Sequence, residues 1–185
     1  MTLWYTARGA GLAALIVLTL STSLGALTSI KIRSAAVRVV SQYTHRAAAG
    51  LGLGLIIVHV GTILADPQAG VGASGALVPF ASSYRPNAVA LGSIAAYVFL
   101  LVAALGLARG RLAASAGGAA AWRYVHTLAY VGWGLAMLHG WNAGTDSALP
   151  WVRTLWVLCL IAVLGSVAAR LAVPSRPAVV AGAVR

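Results

Sequence analysis

The chain has 185 residues, of which 61% are hydrophobic and 8% charged, with a mean hydropathy of +0.91 and a net charge of +11. That composition describes a single integral membrane domain over residues 1–185, with no soluble domain hidden in it. The basic residues flank apolar runs, as orientation signals do, which argues against nucleic acid as a partner. The single cysteine, Cys159, excludes an internal disulfide and covalent haem attachment through Cys-x-x-Cys-His.

Five apolar runs of about 20 residues predict five membrane-crossing helices, an all-α transmembrane bundle. Span one covers about residues 9–29 and reads as a retained helix, because no small-residue cleavage site ends it. Span two, about 44–65, holds His45, Gly50, Gly52, Gly54 and His59. The loop 66–86 carries Pro67, Gly70, Gly72, Gly75, Pro79 and Pro86 and reads as turn-rich rather than helical. Its residues 76–80 are apolar enough to rest in the membrane interface. Span three, about 87–108, leads to span four, about 121–141, with His126, Gly132, Trp133, Gly134, His139 and Gly140. Span five, about 150–172, holds Cys159, expected to be a small buried apolar residue. The tail beyond, with Pro174 and Pro177, reads as flexible.

Charge orients the bundle. Lys31, Arg33, Arg38, Arg46, Arg109, Arg111, Arg123, Arg170, Arg176 and Arg185 fall on one side, and Arg8, Arg85 and Arg153 on the other. By the positive-inside rule the N-terminus lies outside and the C-terminus in the cytoplasm of a multi-pass cell-membrane protein. Trp122 and Tyr124 on the inner side, and Trp4, Tyr5, Tyr84, Trp141 and Trp151 on the outer, suit the interfacial aromatic belts.

The four histidines of the chain fall into two pairs inside spans two and four. An ionisable side chain is expensive there and is usually functional. His45 and His59 are 14 residues apart and His126 and His139 are 13 apart, which separates each pair by about 20 Å along a helix. Spans two and four run the same way, so His45 meets His126 on the cytoplasmic side and His59 meets His139 on the outer side. Asp66 and Asp146, the only acids, each follow an outer histidine by seven residues. They could attract a cationic acceptor or dock a partner, or be ordinary loop acids.

Two imidazoles at each level suit a b-type haem iron with both axial positions filled, a centre for electron transfer rather than for oxygen chemistry at the metal. Zinc or copper would want its ligands clustered, and each level offers two histidines without a nearby cysteine or carboxylate. The expectation is therefore two non-covalent haems, with His45 and His126 on the inner and His59 and His139 on the outer. No catalytic residue is expected. Arg46 and Arg123 are propionate candidates at the inner level, and Arg85 and Arg153 at the outer, unless they serve topology alone. Trp133 is either an inter-haem aromatic or a bulky core residue. The glycines between the histidines could clear space for a flat macrocycle, or could simply pack helices. One oddity remains in the geometry. At about 100° per residue, 14 residues leave His45 and His59 about 40° apart around the helix, whereas 13 leave His126 and His139 about 140° apart. Span four must be overwound or bent, or its histidines must approach from different sides.

The stretches His45-Arg46, His59-Val60, Trp122-Arg123-Tyr124-Val125-His126 and His139-Gly140-Trp141-Asn142-Ala143-Gly144-Thr145-Asp146 give the chain its family likeness. Over residues 4–172 it resembles the ferric-reductase-like transmembrane family, which includes the haem domain of NADPH oxidases, membrane ferric reductases, and the haem-binding membrane subunit of the bacterial periplasmic methionine sulfoxide reductase. The 14-then-13 histidine spacing resembles the NADPH oxidase branch. The resemblance implies that the four histidines are haem ligands and that electrons pass outward. The chain departs from the larger members in having five expected spans rather than six. No flavin or NAD(P)H domain is expected after the last span, and no Gly-x-Gly-x-x-Gly stretch is read after a strand. The expectation is a bare haem subunit of an oxidoreductase, whose donor is another protein or a quinol and whose acceptor is an extracytoplasmic redox partner or small molecule. The alternative is a haem-free membrane scaffold or small transporter, which the lack of an acid within the spans disfavours.

Overall fold

A computed structural model describes residues 2–28, 30, 34–112 and 114–173, and no strand occurs among them. The helices are α1 (Thr2–Thr28), α2 (Ala35–Ala65), α3 (Gly72–Leu77), α4 (Pro86–Leu107), α5 (Arg109–Leu112), α6 (Ala116–His126), α7 (Leu128–Ala143) and α8 (Pro150–Ala172). Four of them, α1, α2, α4 and α8, are long and apolar enough to cross a membrane. Lys31, Arg33, Arg176, Arg185 and the tail with Pro174 and Pro177 lie outside the described residues.

Local chemistry explains where the helices start. Ser34 caps α2, its hydroxyl accepting from the Val37 N–H at 3.3 Å, so the helix begins well before the apolar run. Ser115 caps α6 in the same way through the Gly118 N–H at 3.0 Å. Pro86 and Pro150 occupy first-turn positions, where a missing N–H costs nothing.

The structure revises two expectations. The segment read as span four is divided at Thr127 into an 11-residue and a 16-residue helix, neither long enough alone to cross. The Thr127 hydroxyl donates to the Tyr124 carbonyl at 2.6 Å, the Thr127 N–H turns to the same carbonyl at 3.1 Å, and the Tyr130 N–H reaches back to Thr127 at 3.0 Å. These are three-residue bonds, so the chain is wound more tightly at that point than an α-helix. The loop 66–86 is also more ordered than its prolines and glycines suggested. The Asp66 carboxylate accepts from the Gln68 N–H at 3.0 Å and starts a 3-10 turn over Pro67–Ala69. Gly70 and Gly72, at φ of 66° and 65°, then redirect the chain into α3. Ser93 donates to the Ala76 carbonyl at 2.7 Å and Tyr97 to that of Leu77, tying α3 onto α4. Leu77, Val78 and Phe80 stay exposed.

Helix α1 packs along α2, α7 and α8, and α4 packs along α7. Buried Ala7, Ala10, Ala14, Ser21 and Ala26 let the backbone of α1 approach its neighbours closely, which is how helices associate where water supplies no driving force. The core joins Leu15 and Leu18 of α1 to Phe99 of α4, Trp133 and Met137 of α7, and Trp156, Cys159 and Val163 of α8. Cys159 is buried there, as its sequence context suggested. Helices α2 and α7, which carry three of the histidines, are not closely packed on each other.

Candidate functional site

The four histidines meet in two facing pairs. The rings of His45 and His126 have centroids 6.1 Å apart at an interplanar angle of 73°. Those of His59 and His139 are 6.2 Å apart at 80°. A metal–imidazole bond of about 2.0 Å, plus about 1.1 Å from nitrogen to ring centre, puts two trans imidazoles on one metal about 6.2 Å apart. Both separations leave room for a metal ion between the two rings.

Hydrogen bonds set the rings. His45 donates through Nδ1 to the Ser21 carbonyl at 2.8 Å, His59 to the Ala7 carbonyl at 2.7 Å, and His139 to the Ala88 carbonyl at 2.8 Å. A carbonyl can only accept, so each bond fixes the proton on Nδ1 and leaves the Nε2 lone pair free. A backbone carbonyl behind the ring is the usual support of a metal-ligating histidine. The Ser21 hydroxyl reinforces His45, 3.1 Å from its Nδ1 and also 3.1 Å from its carbonyl oxygen.

Each anchoring carbonyl lies in a helix whose residue four positions later is glycine: Ala7 with Gly11, Ser21 with Gly25, Ala88 with Gly92. A Cβ at Gly11 would stand 3.0 Å from His59 Nδ1, one at Gly25 3.2 Å from His45 Cε1, and one at Gly92 2.6 Å from His139 Nδ1. These glycines open the notch through which an imidazole reaches a carbonyl already inside a helix. They were missed in the sequence because they lie outside the histidine-bearing spans. Their one sequence trace is spacing: Gly11 and Gly25 are 14 residues apart, like His45 and His59 opposite them.

His126 differs. Its Nδ1 is buried and has no hydrogen-bond partner, and neither has Nε1 of Trp122. The two rings stack at 4.9 Å and 21°, and the Arg109 guanidinium lies 4.8 Å above Trp122 on its α5 side.

The remaining candidates separate. Arg46 and Arg123 are exposed, Arg46 next to His45 in the chain and Arg123 three residues before His126. Arg85, also exposed, caps α4 one turn before Ala88 and donates to the Asn142 carbonyl, beside a cavity of about 380 Å³ formed with Ala88 and Leu91. Arg153 donates to the Ser147 carbonyl at 3.3 Å and borders a second cavity of about 530 Å³ with Trp141 and Trp156. Trp133 is buried and donates through Nε1 to the Thr19 hydroxyl at 2.9 Å, which ties it into the core against α1. Of the glycines between the histidines, Gly52 packs on Leu18, Gly132 on Val98 and Phe99, and Gly140 on Trp156, while Gly50, Gly54 and Gly134 face open space. Asp146 pairs with Arg8, and Asp66 is spent as a cap.

Among the described residues no three histidine, cysteine or carboxylate side chains come together to hold a metal, so the donor set is two imidazoles at each level. That set suits an iron whose other ligands come from a macrocycle. No family model, curated protein or solved structure matches the chain.

Proposed function

We propose that the chain is a di-haem b-type electron-transfer subunit of a cell membrane, in which α6 and α7 together make a fifth crossing, the N-terminus lies outside and the C-terminus is cytoplasmic. The carrying observation is the pair of facing imidazoles at 6.1 and 6.2 Å, three of the four anchored through Nδ1 so that Nε2 is left to bind. Haem held between these histidines would supply one-electron transfer. His45 and His126 hold the inner site and His59 and His139 the outer. The carbonyls of Ser21, Ala7 and Ala88 keep three of these rings in the ligating tautomer and orientation. Arg46 and Arg123 offer positive charge to inner propionates, and Arg85 and Arg153 to outer ones. The donor is a cytoplasmic protein or a quinol, and the acceptor an extracytoplasmic redox partner or small molecule.

The deciding experiment is purification from membranes with haem quantification and optical spectroscopy. The expected result is about two b-type haems per chain with low-spin bands. A folded protein without haem would overturn the proposal in favour of a scaffold or transporter.

A further inference from the structure

The chain contains a helical hairpin twice. Gly11, Leu18, Gly25 and His45 recur as Gly92, Phe99, Gly106 and His126, each 81 positions later. Gly52, His59 and Asp66 recur as Gly132, His139 and Asp146, each 80 positions later. The missing residue falls between His126 and Gly132, where Thr127 breaks the helix.

The packing follows the same rule in both copies. Across α1 and α2 the facing pairs are Gly11–His59, Leu18–Gly52 and Gly25–His45, seven residues forward in one helix for seven back in the other. Across α4 and α7 they are Gly92–His139 and Phe99–Gly132, again stepping by seven. One further step sets Gly106 opposite Val125, one residue short of His126. Gly106 has nothing within 4 Å of where its Cβ would be, although its three counterparts each have an imidazole there. The unmatched notch thus corresponds to the one imidazole whose buried Nδ1 lacks a partner.

We infer that the Val102 carbonyl, opened by Gly106, is the docking point for His126 Nδ1, making Val102 and Gly106 positioning residues for the inner haem. The inference rests on the electron-transfer reading above. The break at Thr127 separates α6 from α7, so closing this one-residue offset need not disturb the His139 anchor on α7. Donation to Val102 then fixes the Nδ1 proton and frees Nε2, as in the other three histidines.

The test compares Gly106→Ala and Gly106→Leu with Gly165→Leu, a control on α8 whose side chain also enters open space. Haem per chain, the electron paramagnetic resonance of the low-spin irons and the two midpoint potentials are read on the purified protein. Gly106→Leu is expected to lower haem from two to one per chain, with the outer signal unchanged. Gly106→Ala keeps both but shifts the inner signal and potential, and Gly165→Leu matches the wild type. Should Gly106→Leu fail to accumulate, Gly106→Ala carries the result. Wild-type spectra and potentials in Gly106→Ala, with wild-type haem content in any Gly106→Leu obtained, would overturn this inference alone. A haem-free wild type would overturn the electron-transfer reading and this inference with it.

Discussion

Gly92 lies directly beneath the imidazole of His139, so close that a Cβ there would stand 2.6 Å from Nδ1. The contact exists because His139 reaches past α4's surface to the Ala88 carbonyl. Gly92→Ala must therefore push the ring off its anchor, whereas Gly11→Ala, with 3.0 Å to His59, asks for a smaller displacement. The expected outcome is about 10–100-fold weaker outer-haem retention in Gly92→Ala, the usual effect of losing a ligand's supporting hydrogen bond. Gly11→Ala should show a milder loss, and both should spare the inner haem. Haem titration against the purified apoprotein measures it, and equal retention in both variants and wild type would sever the notch from the ligand.

The pairing itself predicts two separable losses. His59→Ala should remove the outer haem and leave the inner, and His45→Ala should do the reverse, because each pair shares one level and neither shares a ligand with the other. Redox titration resolves the two components. Loss of neither haem in His59→Ala would contradict the pairing.

Much of this was readable in the chain, and the reasons differ by residue. Helices α1, α2, α4 and α8 follow from apolar runs long enough to cross, a property of composition alone. The matching of His45 with His126 and His59 with His139 follows from parity of crossings plus equal depth. The extra turns of α2 before His45 were not readable from hydropathy, since a capped helix continues through polar residues. The 13-residue spacing called for either a distortion in span four or histidines approaching from different sides, and the three-residue bonds around Thr127 supply a tight turn there. The glycines at the imidazoles stayed hidden because their meaning lies in α1 and α4, and only the packing shows which histidine each faces.

Trp133 provides a test of core against conduit. Its indole N–H is committed to the Thr19 hydroxyl, and its ring belongs to the core shared by α1, α4, α7 and α8. Trp133→Phe keeps most of the volume and strands a buried hydroxyl partner. A loss of about 1–3 kcal/mol in stability is expected, the cost of leaving a buried polar group without its partner. Haem content and the rate of electron equilibration between the two haems should stay at wild-type values. Unchanged thermal unfolding together with slowed equilibration would instead place the indole on the electron path.

Orientation can be read with the single native cysteine left in place. Cys159 is 4% exposed inside the core and should resist maleimide in the folded protein. Ala81 and Ala114 are exposed, in the loop before α4 and in the turn before α6 respectively, at opposite ends of α4. The excess of arginine beside Ala114 predicts a cytoplasmic position for it and an external one for Ala81. In intact cells, Ala81→Cys should react with a membrane-impermeant maleimide, and Ala114→Cys should react only after permeabilisation. The reverse pattern would invert the bundle and exchange inner for outer haem. Labelling of both sites in intact cells would mean that α4 does not cross, which would remove the separation of levels on which transmembrane transfer depends.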